Sequence, residues 1–207
     1  MNLLIEKCPI IIIGSWNEII FTPQWVKKNM FPDVENISLL FPVSNPSLPR
    51  RLEIGSIILE VSNARLSVLP KDTSAETFEK MQETASKLVE LFPHNPISAV
   101  GINFGFSVNT TEHDLSDILT SKDSNLLSDQ DFELQALNVK RKMKKGDDTI
   151  NLSISYDYDD SVVFDWNFHY EVNTMEDAKV IFEKSITILK EDTVKQLEAI
   201  YGISDEV

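Results

Sequence analysis

The chain has 207 residues, a formal net charge of −14 at pH 7, and 42% hydrophobic residues. A chain of this length and composition folds as a globular protein and buries a core without disulfides or metals. Its acidic balance argues against general nucleic-acid binding, because phosphates would be repelled, and its single cysteine, Cys8, excludes an internal disulfide.

The apolar run Ile10–Ile13 near the N-terminus is too short for the core of a signal peptide, and no small-residue cleavage site follows it. No stretch approaches the roughly 18 apolar residues of a membrane-spanning helix. A lone cysteine also fits a reducing compartment. We therefore expect a cytoplasmic protein that does not enter a membrane.

The first half of the chain predicts several strands, a short helix starting at Pro23 and one long helix. The strands are predicted over Pro9–Trp16, Ile37–Phe41, Arg51–Val61 and Arg65–Leu69. Because Arg51–Val61 is apolar on both faces, it is predicted to be a central strand covered on both sides. Thr73 and Glu76 form a capping box, which predicts a long helix as far as Phe92.

A strand over Ile97–Val108 and a polar connection follow this helix. Within that connection, Leu115–Leu119 is predicted as a short helix and Ser121–Asp129 as a mobile loop, because the latter has little apolar content. The next strand, Phe132–Met143, leads into a turn at Lys145–Asp148.

The stretch after that turn has the strongest pattern in the sequence. Apolar and polar residues alternate along Thr149–Tyr158 and again along Val162–Val172, which indicates two antiparallel strands with one buried and one solvated face. Thr174 and Asp177 then predict the start of a second long helix. Its apolar stripe continues to Ile200, where Gly202 provides a C-terminal cap.

These elements predict an α+β fold, a mainly antiparallel sheet with two long helices packed on one face. The chain is interpreted as one domain, 1–207. Arg51–Phe92 and Thr149–Tyr201 each read as a hairpin followed by a capped helix. This similarity suggests an internal duplication with halves 1–108 and 109–207, although convergence on a common unit explains it nearly as well.

Three short motifs carry a resemblance: Pro9-Ile-Ile-Ile-Ile, Phe21-Thr-Pro, and Ala99-Val-Gly-Ile-Asn-Phe. Together with the order of elements, they resemble a sporadically distributed bacterial family of proteins of about 250 residues, a size within the single-domain range. Where that family pattern implies an arginine, this chain has Ser98 or Ala99. The family has no settled function, so the resemblance implies no site residues.

No catalytic motif appears in the sequence, and no metal or cofactor is expected. His94, His113 and His169 are not in metal-ligand spacing. Asp165, His169 and Glu171 share the polar face of one strand, where a solvated sheet surface explains them better than a site. An enzyme or a small-molecule binder with a pocket between sheet and helices remains the alternative. Its ligand-binding candidates are Tyr156, Asp165, Trp166, His169, Tyr170 and Glu171.

The one dense basic feature is the run Lys140–Lys145, which contains Lys140, Arg141, Lys142, Lys144 and Lys145. It contrasts with residues 151–207, where 4 basic and 13 acidic residues give a net charge of −9. The run is interpreted either as a solvated end of a strand or as a grip for an acidic partner. We therefore predict a non-enzymatic protein that works by association, as an inhibitor, an immunity or antitoxin-like protein, a subunit of a larger assembly or a homo-oligomer.

Overall fold

The computed structural model describes residues 1–40, 49–113, 115–120, 123–157 and 160–203, with only the backbone described at Asp117 and Asn125. The predicted strand end at Phe41, the start of the loop Ser121–Asp129 and the strand end at Tyr158 lie outside these residues.

The described residues contain ten strands in one sheet, and every pairing is antiparallel. The strands are β1 (Asn2–Leu4), β2 (Ile10–Gly14), β3 (Ser38–Leu40), β4 (Arg50–Ile54), β5 (Ile57–Val61), β6 (Arg65–Pro70), β7 (Ile97–Asn109), β8 (Leu137–Lys145), β9 (Asp148–Tyr156) and β10 (Ser161–Glu171). Their order is β3-β4-β5-β6-β2-β7-β10-β9-β8, and β1 also pairs with β7. The predicted α+β class with an antiparallel sheet is confirmed.

The helices are α1 (Pro23–Asn29), α2 (Ala75–Leu91), α3 (Ser116–Leu119), α4 (Ser124–Ser128), α5 (Met175–Phe182) and α6 (Ile186–Tyr201). Side-chain caps define the starts of the four longer helices, α1, α2, α5 and α6. Thr22 accepts a hydrogen bond from the Trp25 amide at α1, and Ser74 accepts one from the Thr77 amide at α2. Thr174 and Asp177 form the predicted capping box of α5.

One face of the sheet carries the core. Phe78 of α2 contacts the Phe104 ring, and Tyr201 of α6 contacts the Phe164 ring, so both helices lie on this side. Trp166 projects to the same face and is 1% exposed, so it belongs to the buried face that the alternation predicts. This burial follows from the alternation along β10, since every second residue from Val162 to Phe168 is buried.

The opposite face of the sheet, here called the open face, has no described α-helix packed on it. Its aliphatic side chains are not part of the continuous core; they include Ile11, Ile58 and Leu69, all half-buried. A single 3₁₀ turn, Ile5–Lys7, brings Lys7 over Gly105 on this side. The open face is therefore the large sheet surface that the described fold leaves accessible.

The prediction of one strand over Arg51–Val61 is wrong, because β4 and β5 form a hairpin around Gly55 and Ser56. Gly55 has φ +56, a conformation that glycine adopts without strain. The reversal pairs Ile54 with Ile57, so the apolar residues on both sides of the turn point to one buried face. When residues 51–61 are taken as one continuous strand, the apolar residues after the turn fall on the opposite face. This produced the wrong prediction of a strand that is buried on both faces.

The second predicted long helix is two helices, because the chain leaves the α conformation at Ser185 between α5 and α6. Ser185 caps α6 by accepting a hydrogen bond from the Ile188 amide. The Gln82 side chain of α2 spans the break: its Nε2 donates to the Phe182 carbonyl at 2.8 Å. Its Oε1 accepts from the Ile186 amide at 2.9 Å.

The structure also differs from the predictions at the start of α2, within the polar connection and at the start of β8. Helix α2 is capped by Ser74 rather than Thr73, because Asp72 accepts from the Ser74 amide and hydroxyl and positions that residue. Within the predicted loop Ser121–Asp129, residues 124–128 are helical. Strand β8 begins at Leu137 rather than Phe132, and residues 132–136 have no regular secondary structure.

Candidate partner-binding face

The basic run lies entirely on strand β8, which continues to Lys145, whereas the sequence predicted the run at the end of a strand and its turn. The turn consists of Gly146 and Asp147, with Lys145 paired to Asp148 across it. Gly146 has φ +61 at the first central position of the two-residue loop, where such hairpins favour glycine. Because side chains alternate along a strand, the run is divided between the two faces of the sheet.

Lys140, Lys142 and Lys144 project onto the open face and are exposed; we call them the lysine row. Successive members are about 7 Å apart along the strand. Arg141 projects to the helix side, where its guanidinium donates to the Tyr201 hydroxyl and lies 5.8 Å from that ring's centre. Lys145 is exposed beside the turn.

The lysine row has no ion pair within the described part of the chain. The ion pairs found there involve other cations, such as Lys7 with Asp165 and Lys184 with Asp148, both at 2.8 Å. In a chain with 33 acidic and 19 basic residues, an unpaired group of three neighbouring lysines stands out electrostatically. Their positive potential is directed away from the core, across the open face.

A ladder of asparagines crosses the open face beside the lysine row. The strand register places Asn151 opposite Lys142 on one side and opposite Asn167 on the other. Asn151 Nδ2 donates to Asn167 Oδ1 at 3.1 Å, and Asn167 Nδ2 donates to Asn103 Oδ1 at 2.9 Å. Asn103 Nδ2 completes the ladder by donating to the Pro9 carbonyl at 2.8 Å. These bonds fix the surface next to the lysine row.

Glycines keep the middle of the open face flat. A Cβ at Gly105 would lie 2.3 Å from Lys7 Cβ, so only glycine admits the Lys7 turn at this point. The seated Lys7 forms its ion pair with Asp165, directly across from Gly105 on β10. Asp165 is therefore already partnered, and the groove of about 510 Å³ that it lines with Lys140 and Lys142 keeps a cationic side.

The open face of the other half of the sheet has a different character. Ile13 and Leu40 are 38% and 45% exposed. On the same face lie the half-buried aliphatic residues Ile11 of β2, Ile58 of β5 and Leu69 of β6. Glu60 pairs with Arg51 at 3.1 Å, which neutralises the nearest charges. The unpaired cations are thus concentrated at the β8 end of this face.

The structure distributes the six predicted ligand-binding residues over both faces of the sheet. Asp165, His169 and Glu171 lie on the open face, where His169 is opposite Gly101. Tyr156, Trp166 and Tyr170 lie on the helix side, where Tyr156 and Tyr170 are half-buried and pack against the core. The six do not converge on one point between sheet and helices.

Three of them, His169, Tyr170 and Glu171, line an open groove of about 680 Å³ at the end of β10. The Tyr170 hydroxyl is buried near the Asp148 carboxylate, which accepts a hydrogen bond from Lys184 at 2.8 Å. Burial, together with the negative charge of Asp148, raises the pKa of the Tyr170 hydroxyl. Such a phenol stays protonated at neutral pH and is not a base.

The described residues include one cysteine, the buried Cys8. Burial raises the pKa of the Cys8 thiol to about 11, so the nucleophilic thiolate is scarce at neutral pH. No group of three or more His, Cys, Asp or Glu side chains in these residues could hold a metal ion.

Among the helices that the structure describes, none is both long and apolar enough to span a bilayer.

The asparagine ladder and the Lys7 turn were not predicted from the sequence. The pairing of Asn151 with Asn167 could have been found by counting outward from the β9–β10 turn, because that turn fixes the register. The Lys7 contact has no such signal, since it depends on how a 3₁₀ turn folds over β7.

Searches against protein-family models and against curated proteins find no match to this chain. The candidate site therefore rests on the geometry of the open face.

Proposed function

We propose that this protein acts by association, binding an acidic protein partner through the lysine row at the β8 end of its open face. We also propose that the protein is not an enzyme, that it is cytoplasmic and that it forms a single domain. The observation that carries it is the exposed, unpaired set Lys140, Lys142 and Lys144 in a strongly acidic chain. The strand that holds the three ammonium groups is already ordered, so binding at this point restricts the lysine side chains but requires no ordering of the backbone.

Charge complementarity gives such a surface selectivity. The Debye length at physiological salt is about 8 Å, so acidic groups elsewhere on the molecule are largely screened from a ligand at the lysine row. A partner with several carboxylates is attracted to this site, while its other approaches meet a negative surface. The binding is expected to weaken as salt rises.

A matched set of charge reversals tests the proposal. Lys140, Lys142 and Lys144 are changed together to Glu, and the control changes three exposed helix lysines, Lys28, Lys179 and Lys195. Binding of a fluorescent glutamate-rich peptide is measured by anisotropy. Because both variants have the same net charge, we expect only the lysine-row variant to lose affinity, by at least about tenfold. Equal losses in the two variants would overturn the proposal.

We also propose that the fold arose by duplication, with a boundary before β7 and not after Val108. The strand order supports this: β4-β5-β6-β2 on one side mirrors β8-β9-β10-β7 on the other. After β1, the first half runs through its innermost strand β2, α1, the meander β3–β6 and α2. The second half runs through its innermost strand β7, the short helices α3 and α4, the meander β8–β10 and α5–α6, so β1, α1 and β3 are features of the first half alone. A ten-stranded sheet built in this way has β2 and β7 paired at its centre.

The alternative, a small-molecule binder, is supported by the groove at the end of β10. In that case His169 would contact the ligand, and His169→Ala would abolish any binding or activity found there. Under the association proposal, the same variant keeps its fold and its affinity for the glutamate-rich peptide. The two functions are thus separated by one substitution.

A further inference from the structure

The outer edge of β8 offers a way for an acidic segment to bind. Strand β8 is the last in the sheet order, and no described strand lies beyond it. It is nine residues long and pairs with β9 in continuous register from Leu137 to Lys145, without a bulge. Long regular edges of this kind are templates for an added strand, whereas bulges or short strands prevent such pairing. The opposite edge, β3, has only three residues.

The hairpin register shows which backbone groups point outward. In a two-residue hairpin the residues flanking the loop form a hydrogen-bonded pair, and the pattern then alternates along the ladder. Lys145 with Asp148 is the first such pair, so residues 143, 141, 139 and 137 also bond inward to β9. The free N–H and C=O groups therefore belong to Asn138 and the lysine row. The same residues supply the unpaired charges and the unpaired backbone.

We propose that the occupant of this edge is an acidic segment of a partner protein, which adds as an eleventh strand beside β8. This rests on the proposed function and specifies its binding mode. Side chains of directly opposed residues share a face, so every second residue of the segment meets a lysine and is acidic. The residues between them face the helix side, opposite half-buried Arg141 and Met143. Because the Arg141 guanidinium already donates to the Tyr201 hydroxyl, apolar residues suit both positions. The recognised pattern is acidic–apolar–acidic–apolar–acidic.

Lysines on an edge also protect a sheet from unwanted pairing. In that role the lysines repel a cationic edge, and they would lose hydration against a neutral one. An acidic strand is the one type of strand that they attract. Charge complementarity therefore selects the occupant, and the backbone edge supplies its hydrogen bonds.

The test uses two peptides of about seven residues, a common strand length, with identical composition. In one, Glu and Val alternate; in the other, the Glu residues form one block. Backbone amide exchange of the protein is followed by NMR with each peptide. We expect the alternating peptide to bind more tightly and to slow exchange at Asn138, Lys140, Lys142 and Lys144 by at least about tenfold. Residues 139, 141 and 143 should change little.

Two variants separate charge from backbone. Lys142→Pro removes an outward N–H that makes no bond to β9, and proline is tolerated at such edge positions. Lys142→Gln removes only the charge. We expect the proline variant to lose binding and the glutamine variant to bind more weakly but retain the amide protection. If the proline variant does not fold, strand addition is still tested by the amide exchange of the parent protein with the alternating peptide.

The outcomes also distinguish this inference from the proposed function. If both peptides bind equally in a salt-sensitive manner and no outward amide is protected, strand addition is wrong while electrostatic association stands. If neither peptide binds and reversal of the lysine row has no effect, the proposed function fails as well.

Discussion

Gln82 is predicted to connect the two C-terminal helices to the rest of the fold. It is half-buried on α2, and its side-chain amide makes both a donor bond to Phe182 and an acceptor bond to Ile186. These two backbone groups lie on either side of the break between α5 and α6, so they lack the usual helical partners. Replacing Gln82 by Ala leaves both without the side chain that satisfies them.

The expected cost follows from these contacts. A hydrogen bond contributes about 0.5–1.5 kcal/mol net, and an unsatisfied buried group costs about 1–3 kcal/mol. Because Gln82 is half-buried, water partly replaces the lost partners, and we expect Gln82→Ala to lower the free energy of unfolding by about 2 kcal/mol. Gln82→Glu keeps the acceptor but places a carboxylate against the Phe182 carbonyl. Repulsion by the carbonyl raises the folded-state pKa of this Glu above its unfolded value of about 4.3, so its deficit should shrink as pH falls towards about 4, where the protonated carboxyl can donate again.

Urea titration of the parent and the variants measures these free energies. The control is Glu79→Ala, at an exposed position of α2 that lines a surface groove together with Gln82. Its expected change in the free energy of unfolding is within about 0.5 kcal/mol. A loss below about 0.5 kcal/mol for Gln82→Ala would refute the bridging role.

Further predictions concern the core, the open face and one cap. Trp166→Ala should lower the free energy of unfolding by about 3–5 kcal/mol, because the ring is 1% exposed; a loss below about 1 kcal/mol would contradict the strand phasing. Gly105→Ala should displace the Lys7 turn, since the new Cβ would lie 2.3 Å from Lys7 Cβ, and NMR shifts at Lys7 would report it; unchanged shifts would count against the contact. Hydrogen bonds from the Thr174 side chain and from the Asn173 and Thr174 amides lower the pKa of Asp177 below 3.8. Its stabilisation is therefore present above the unfolded pKa and lost as pH falls through the lower folded pKa, so the stability gap between the parent and Asp177→Asn should narrow in acid. A constant gap would mean that the charge contributes nothing.

The sheet was predictable where its pattern is local. Alternation along β10 identified its buried face, including Trp166, and the Thr174–Asp177 capping box located the start of α5. Both signals depend on residues close in sequence. The hairpin at Gly55 was missed because apolar residues on both sides of a tight turn mimic a strand with two apolar faces.

The break at Ser185 and the form of the candidate site could not be derived in the same way. The apolar stripe continues through Ser185, and the groups that stabilise the break come from Gln82, about a hundred residues earlier in the chain. The lysines were identified from composition, but their placement on one face depends on where β8 ends and the turn begins. Lys145, which the sequence predicts in the turn, is the last residue of the strand.

The role of the lysine row is tested most directly by the salt dependence of its contribution to binding. The affinity of the alternating Glu–Val peptide is measured for the parent and for the variant with Lys140, Lys142 and Lys144 changed to Glu, at about 0.05 M and about 0.5 M salt. We predict a ratio of affinities of at least about ten at low salt that falls towards one at high salt, because screening removes the attraction. A ratio near one at both salt concentrations would contradict partner binding through this row.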